Sequence, residues 1–217
     1  MELARYIEHT NLKPNATEDD IKKLVSEAIQ YNFFGICVNP IYVKLAHDLV
    51  KQSGKDIKVV CVVNFPLGAN KLSTTIFQIE EAIEDGADEI DTVINIGAIK
   101  AGNYKLVADE LLEQKKACKD KNLKVILETD LLNPAEIKVA CLNCMTAGVD
   151  FVKTSTGFVK DGTGATVENV KLMYNTVSKK GIGVKASGGI KSRLFATDLV
   201  NAGASRLGTS SGVSIVQ

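Results

Sequence analysis

The chain has 217 residues, enough for one large domain and too few for two of ordinary size. Its 26 basic and 26 acidic residues cancel, so no net charge attracts nucleic acid or an anionic membrane surface. The apolar runs are far shorter than a membrane span, and the opening residues do not resemble a signal segment. We therefore expect one catalytic domain over residues 1–217, with neither a nucleic-acid nor a membrane partner.

The cysteine and histidine content limits redox and metal chemistry. Five cysteines make an odd number, and Cys141 with Cys144 matches the Cys-x-x-Cys spacing of a zinc or redox pair. We favour buried structural thiols, because both residues fall on the apolar face of a predicted helix and no second pair completes a zinc site. Free thiols indicate a reducing cytoplasm. His9 and His47 are far apart in the sequence, so we expect neither a catalytic metal nor a cofactor.

Short apolar runs alternate with longer segments of helical periodicity. The runs are continuously apolar, which is typical of parallel strands buried on both faces. The predicted strands are 6–9, 35–38, 58–63, 89–95, 124–128, 150–153, 183–185 and 205–207. Between them, apolar stripes predict amphipathic helices. The clearest stripes are Ile21, Leu24, Val25, Ala28 and Ile29, and then Tyr104, Val107, Ala108, Leu111 and Leu112.

Two helix starts carry caps that agree with this pattern. Thr17 with Asp20 predicts one capping box, and Asn133 with Glu136 supplies a second cap, with a proline at the first helical position. Strand–helix units repeated about eight times without a linker predict an α/β fold, a single (β/α)8 TIM barrel. The alternative is a doubly wound open sheet, which is disfavoured because no Gly-x-Gly-x-x-Gly turn follows the first strands.

A weak internal repeat places unlike residues at the far ends of three predicted strands. Gly86, Gly148 and Gly203 each follow a predicted helix, where glycine adopts a left-handed cap most easily. Five residues after each glycine stand, in order, Asp91, Lys153 and Gly208. Residues at the carboxyl ends of barrel strands assemble one site, so we expect these positions to face a common mouth.

Two lysines at strand ends suggest amine chemistry on a carbonyl. Lys153 and Lys185 end the sixth and seventh predicted strands, which are neighbours in a barrel. A lysine nucleophile must be neutral, and burial or a second ammonium nearby lowers its pKa. Asp91 is suited to orient a lysine or to move a proton through a water. The alternative is ordinary lysines on the barrel rim with charge partners, and spacing alone does not choose between the two amines.

Glycine-rich and serine-rich turns follow the last three predicted strands. Barrels commonly bind phosphate there, through backbone N–H groups that converge on the anion. Tight-turn geometry is the alternative explanation for each glycine pair taken alone. The candidate phosphate-binding residues are Gly157, Gly188, Gly189, Gly208, Ser210 and Ser211.

Several of these segments together resemble the deoxyribose-phosphate aldolase family. The most specific are Phe151-Val-Lys-Thr-Ser-Thr-Gly-Phe158 and Val184-Lys-Ala-Ser-Gly-Gly-Ile190. The similarity extends over nearly the whole chain and includes Ile7-Glu-His-Thr-Asn-Leu-Lys-Pro14, Ile36-Cys-Val-Asn-Pro40, Val63-Asn-Phe-Pro-Leu-Gly68, Glu89-Ile-Asp-Thr-Val-Ile-Asn-Ile-Gly97 and Leu207-Gly-Thr-Ser-Ser-Gly212.

The resemblance implies a TIM-barrel lyase, a class I aldolase that needs no metal. Such an enzyme reversibly cleaves 2-deoxy-D-ribose 5-phosphate to D-glyceraldehyde 3-phosphate and acetaldehyde through a lysine Schiff base. By position, Lys153 would form the Schiff base, Lys185 would activate it and Asp91 would relay protons. The six candidate phosphate-binding residues fall where the family binds phosphate.

Two features depart from the family pattern. Glu8 stands where the family usually has aspartate, and the sequence ends at Gln217 without the tyrosine-bearing tail that some members use. We expect Asp91, Lys185 and water to serve in proton transfer instead. Two other functions stay open, another phosphosugar lyase or isomerase on this barrel and a non-catalytic phosphosugar-binding protein. The substrate is a phosphorylated sugar in each case, and a homodimer also stays open.

Overall fold

Eight parallel strands close into a barrel in chain order in the computed structural model, which describes residues 2–217. The strands are β1 (Ile7–Asn11), β2 (Gly35–Val38), β3 (Lys58–Val63), β4 (Glu89–Val93), β5 (Asn122–Ile126), β6 (Phe151–Lys153), β7 (Gly183–Ser187) and β8 (Arg206–Thr209). The last strand pairs with the first and closes the sheet. The predicted (β/α)8 TIM barrel is therefore confirmed.

The connections between strands carry the helices. They are α1 (Glu18–Gln30), α2 (Val43–Ser53), α3 (Leu72–Glu84), α4 (Ile96–Lys100), α5 (Tyr104–Ala117), α6 (Pro134–Ala147), α7 (Val167–Val177), α8 (Arg193–Asn201) and α9 (Gly212–Val216). Within residues 2–217, none of these helices combines the length and apolar character that crossing a membrane requires.

Local sequence fixes where the helices begin. The Thr17 hydroxyl accepts the N–H of Asp20, whose carboxylate accepts the N–H of Thr17, and this reciprocal pair starts α1. Asn133 and Glu136 make the same exchange at α6, with proline as its first residue. Both predicted caps are confirmed.

The predicted stripe on α5 is partly wrong. Val107 and Leu111 are buried as expected, but Tyr104 and Leu112 are exposed and Gln114 is buried instead. Leu112 lies about 140° around the helix from Val107, too far to face the barrel. The buried stripe is therefore narrower than the apolar sequence suggests.

Several strand boundaries also differ from the prediction. The fourth strand stops at Val93 because Asn95 caps α4 with its side chain, and β5 runs two residues earlier than expected. Conversely, β1, β7 and β8 continue into Asn11, Ser187 and Thr209. Prediction from apolar runs stops at the first polar residue, whereas the backbone ladder does not depend on side-chain polarity.

The main apolar core lies between the barrel and its helices, and the barrel interior is divided. Side chains of Cys37, Val60 and Val62 form a small apolar cluster inside β2 and β3, with Leu12 and Phe65 packed against it. The remaining interior is occupied mainly by ionisable groups. All five cysteines are buried free thiols, as the sequence interpretation expected.

Candidate active site

Six ionisable side chains fill the charged half of the barrel interior. Three are carboxylates and three are lysines, so their formal charges cancel. They are Glu8 from β1, Glu89 and Asp91 from β4, Lys124 from β5, Lys153 from β6 and Lys185 from β7. All six are buried, and a buried ion costs several kcal/mol unless a partner compensates it, so we treat them as one cluster.

Asp91 is the centre of this charge cluster. Its Oδ2 accepts hydrogen bonds from Lys185 at 2.7 Å and Lys153 at 2.8 Å, and its Oδ1 accepts one from Lys124 at 3.1 Å. Burial alone would raise the pKa of this carboxyl, but the three ammonium groups hold it well below its usual range. Asp91 is therefore a permanent anion at neutral pH.

Lys185 belongs to the part of the charge cluster that does not line the pocket at the carboxyl ends of the strands. It is fully buried and donates to both Asp91 and Glu8. Burial opposes its charge, yet the two carboxylates outweigh burial and raise the pKa of Lys185. It therefore stays an ammonium ion at neutral pH, which suits a fixed positive charge better than a nucleophile.

Lys124 completes the cluster on the opposite side of Asp91. Its Nζ lies 2.5 Å from Glu89 Oε2 and 3.5 Å from Glu8 Oε1. The pKa of Lys124 is raised against the effect of burial by its carboxylate neighbours, with Asp91 first. Burial opposes the charge of Glu89, but the charge and hydrogen bond of Lys124, together with a hydrogen bond from Asn122, outweigh burial and lower the pKa of Glu89. Lys124 and Glu89 thus keep each other charged.

Gly208 leaves the space that Lys185 needs. A Cβ at this position would lie 3.0 Å from Lys185 Cε and 3.1 Å from Ser187 Cβ. Contacts this short require the neighbours to shift. A glycine in β8 therefore serves the lysine stem, in addition to lining the pocket above it.

A pocket of about 750 Å³ opens at the carboxyl ends of the strands. Of the three lysines in the charge cluster, Lys153 alone lines it. Lys153 is 3% exposed, whereas Lys124 and Lys185 are 0% exposed. Geometry therefore separates the two amines that sequence spacing could not distinguish, because a ligand in this pocket meets Lys153 and not Lys185.

The six candidate phosphate-binding residues line the same pocket. They are Gly157, Gly188, Gly189, Gly208, Ser210 and Ser211. Gly157, Gly188 and Gly189 adopt positive φ values of 80°, 86° and 74°, which a residue with a Cβ rarely tolerates. Their backbones thus approach the pocket without side chains in the way. Lys191, which follows this glycine pair, also lines the pocket and was missed by the sequence analysis.

The loops after β6 and β7 are hydrogen-bonded to one another. Thr154 Oγ1 donates to the Ser187 carbonyl and accepts the Ser187 N–H, both at 2.9 Å. Ser187 Oγ donates to the Ser155 carbonyl at 2.5 Å. Farther along, the N–H of Ala165 donates to the Gly188 carbonyl at 3.1 Å. The glycines at the pocket wall therefore belong to one connected unit with the strand that carries Lys153.

At the mouth of the barrel, a glycine-lined pocket adjoins the charge cluster. The sequence model described as DeoC/LacD family aldolase matches residues 4–217. The chain belongs to this family. A deoxyribose-phosphate aldolase from Thermococcus kodakarensis is 50% identical over 219 residues, covering 100% of this chain and 96% of its own length.

Solved structures agree with the family assignment. QR15, an aldolase, is 43% identical with a TM-score of 0.93, and the match covers 99% of this chain and 94% of that one. A deoxyribose phosphate aldolase from Aeropyrum pernix, described as a tetramer, is 34% identical with a TM-score of 0.88. That match covers 99% of this chain and 89% of its relative. The similarity to the aldolase family therefore extends to the whole barrel.

The structure of this DeoC/LacD family member corrects one detail of the strand-end prediction. Asp91 is the middle residue of β4 and Lys185 the middle residue of β7, whereas Lys153 is the last residue of β6. Lys153 and Lys185 are register partners, as are Asp91 and Lys124. The equal spacing in sequence therefore does not give equal positions within the strands, and of these three residues only Lys153 ends its strand.

Sequence reasoning missed three members of the charge cluster. Lys124 interrupts the apolar run Leu123-Lys-Val-Ile126 just as Lys153 interrupts its own, so the same signal was present. Glu8 and Glu89 stand near strand starts, where a carboxylate usually faces water. Their burial follows from the closed barrel, which places all three around one axis.

Proposed function

We propose that this chain is a class I aldolase that reversibly cleaves 2-deoxy-D-ribose 5-phosphate to D-glyceraldehyde 3-phosphate and acetaldehyde. One observation carries the assignment of the nucleophile, namely that Lys153 is the lysine of the charge cluster that meets the pocket. The names of the full-length relatives support the substrate. The proposal extends to cytoplasmic location, which the five buried free thiols favour.

The first half of the reaction is imine formation. Lys153 Nζ passes one proton to a pocket water and attacks the C1 aldehyde carbon of the open-chain sugar as a neutral amine. The same proton returns to the carbinolamine hydroxyl, which leaves as water and gives the iminium. This iminium keeps the positive charge that Lys153 carried, so the charge cluster stays balanced around Asp91. No metal is needed, because the iminium itself is the electron sink for bond cleavage.

The second half breaks the carbon–carbon bond. A water held by Asp91 takes the proton of the C3 hydroxyl, the C2–C3 electron pair moves into the iminium, and glyceraldehyde 3-phosphate leaves. The resulting enamine is neutral, which leaves the cluster one positive charge short. Protonation at C2 restores that charge, and hydrolysis of the new iminium releases acetaldehyde and Lys153.

Lys185 and Asp91 support this chemistry without touching the carbonyl. Both ammonium groups contact the same Asp91 oxygen, so the fixed charge of Lys185 lies beside the Lys153 amine. Asp91 balances the cations and orients both amines. In this proposal, Lys153 is the nucleophile at the pocket and Lys185 is the buried activator beside it.

The phosphate-binding residues hold the other end of the substrate. Glycine backbones at 157, 188, 189 and 208 and the two serines at 210 and 211 supply N–H and hydroxyl donors, and Lys191 adds positive charge. Binding energy from this remote group positions the aldehyde at the amine. We therefore assign the phosphate to this wall of the pocket.

Covalent trapping tests the assignment. Borohydride with acetaldehyde should attach a reduced two-carbon adduct to Lys153 in enzyme freed of metal by exhaustive chelation, with peptide mass spectrometry as the readout. The Lys153→Arg variant should give no adduct, whereas Lys171→Arg, a change outside the pocket, should label as the wild type does. An adduct solely on Lys185, or one that requires added metal, would contradict the proposal.

The two alternatives give different results in the same assays. A phosphosugar isomerase or lyase that works without an imine would turn over a sugar phosphate but leave no trapped adduct. A binding protein would bind the sugar phosphate and release no acetaldehyde. Release of acetaldehyde from deoxyribose 5-phosphate together with the Lys153 adduct identifies the aldolase.

A further inference from the structure

Glu128 is a buried carboxylate that the proposed reaction does not use. It follows β5, is 2% exposed, and holds a left-handed backbone conformation with φ 59° and ψ 66°. This conformation is unfavourable for a residue with a Cβ, and such residues persist where the surrounding structure fixes them. The contacts of the Glu128 side chain are therefore expected to stabilise this backbone conformation.

The carboxylate of Glu128 is directed entirely at Thr156. The Thr156 N–H donates to both oxygens, at 3.1 Å and 3.3 Å, and the Thr156 hydroxyl donates to Oε2. The same hydroxyl accepts the N–H of Phe158 at 3.0 Å. One carboxylate thus fixes the residues on both sides of Gly157, whose φ is 80°.

The hydrogen bonds of Glu128 reach the pocket through this loop. Thr156, Gly157 and Phe158 line the pocket, and Glu128 does not. The far part of the same loop is held by another group, since Asp130 accepts the N–H of Thr163 at 3.1 Å and of Gly164 at 2.9 Å. The pocket-lining part of the loop therefore depends on Glu128.

We propose that Glu128 is a positioning residue that holds the Gly157 segment in the conformation that receives the substrate phosphate. The inference rests on the proposed function for the identity of the substrate. It predicts that losing the carboxylate weakens binding of a phosphate group and leaves the chemistry at Lys153 intact.

The Glu128→Gln variant is suited to the test because it keeps the size of the side chain and replaces one acceptor oxygen by a donor. Burial raises the pKa of Glu128, ahead of the opposing effect of its Thr156 hydrogen bonds, with Asp130 adding to the rise. The fold thus tolerates an uncharged group here, and we expect the variant to fold. Its melting temperature should stay close to that of the wild type.

Thr129→Val provides a matched control in the same turn. Thr129 is 3% exposed, and its hydroxyl makes no hydrogen bond within residues 2–217. Valine keeps its shape and removes only that hydroxyl. A general disturbance of this turn would appear in both variants, whereas an effect of the carboxylate on Thr156 would appear only in Glu128→Gln.

Four measurements separate positioning from a merely structural role. We expect Glu128→Gln to weaken inorganic phosphate binding, measured by calorimetry, about tenfold, as loss of one buried charged hydrogen bond would. The KM for deoxyribose 5-phosphate should rise similarly, while the KM for unphosphorylated 2-deoxyribose and the rate of acetaldehyde trapping at Lys153 stay within about twofold. Thr129→Val should leave all of these quantities unchanged.

A double-mutant cycle adds a test of the route. If Glu128 acts through the Thr156 hydroxyl, the effects of Glu128→Gln and Thr156→Val on phosphate binding should be strongly non-additive. Additive effects, or unchanged phosphate binding in Glu128→Gln, would overturn the inference. Phosphate binding needs no turnover, so it still decides the inference if the wild type fails to cleave deoxyribose 5-phosphate, a failure that would sink only the proposed function.

Discussion

A single lysine differs from its two neighbours by reaching the pocket. Lys153 is the last residue of β6, so the chain leaves the barrel directly above its amine, whereas β7 continues two residues past Lys185. This small difference in strand length brings one of two register partners to the pocket and leaves the other buried. In this aldolase family member, the position where a strand ends therefore decides which lysine a ligand can reach.

Gly208 makes a residue-scale prediction possible. The Gly208→Ala variant should displace the Lys185 stem, because the added Cβ would lie 3.0 Å from Lys185 Cε. We expect the rate of acetaldehyde trapping at Lys153 to fall by about threefold, since the stem must give by a few tenths of an ångström and a misplacement of about 1 Å can cost a factor of about 100. Borohydride trapping measures this step without any phosphate group.

The comparison with Glu128→Gln makes the Gly208 prediction specific. One variant should slow imine chemistry on a phosphate-free aldehyde, and the other should weaken phosphate binding and spare that chemistry. Gly97→Ala is a suitable control, because its added Cβ would meet only Asn95 Oδ1 at an ordinary 3.8 Å. Trapping at the wild-type rate in Gly208→Ala would show that Lys185 does not need this space.

Residue-level prediction from sequence succeeded where a signal was local. Lys153, Lys185 and Asp91 stand out as polar residues in apolar strands, and the barrel brings them into contact. The pairing of Glu8 with Lys185 joins β1 to β7, so it depends on closure of the sheet. No spacing within one segment reveals such a contact.

At the scale of secondary-structure elements, the starts of the capped helices could be predicted from the sequence, whereas the buried faces of the helices could be predicted less well. Thr17 and Asn133 carry signals that operate over three residues, and both caps form as expected. The stripe on α5 depends on what lies against the helix, and Tyr104 and Leu112 remain exposed. Local chemistry determines helix ends, while tertiary packing selects among apolar residues.

The cap of α6 gives a prediction for stability. Asn133→Ala removes the side-chain oxygen that accepts the Glu136 N–H at 2.9 Å, and should lower the free energy of unfolding by about 1 kcal/mol. Urea unfolding measures the change. The cap lies outside the pocket, so trapping at Lys153 should be unaffected, and Asn133→Ser should restore most of the lost stability. A loss of trapping in a variant of normal stability would contradict this separation.

At the scale of the whole molecule, the barrel is stabilised by a charge cluster that is neutral only as a set. The pKa of Asp91 is well below its usual range and that of Glu89 is also lowered. Both carboxyls therefore bind protons more readily in the unfolded chain than in the folded one. Their contribution to stability is present above the unfolded pKa of about 4 and is lost as the pH falls further. Lys124 and Lys185 have raised pKa values, so their contribution is lost only above about pH 10.

We therefore expect the contribution of the cluster to be constant between about pH 5 and pH 9 and to fall on the acid side of about pH 4. Urea midpoints across this range measure it. The fall in the urea midpoint at acid pH should be smaller in the Glu89→Gln variant than in the wild type, whereas Asp109→Asn should leave it unchanged. Asp109 belongs to an exposed pair with Lys105, and exposed pairs contribute little. An identical acid decline in the wild type and Glu89→Gln would show that Glu89 is not its source.

The hydrogen bonds that join the loops after β6 and β7 have a consequence for the choice of substrate. They connect the glycines of the pocket wall to the strand that ends in Lys153, so the distance between the wall and the amine is fixed by the backbone. If the substrate phosphate binds this wall as proposed, we expect a phosphorylated aldehyde with one carbon fewer or one more to place its carbonyl short of the amine or past it. The barrel mouth would then select a substrate by the length of the chain between phosphate and aldehyde.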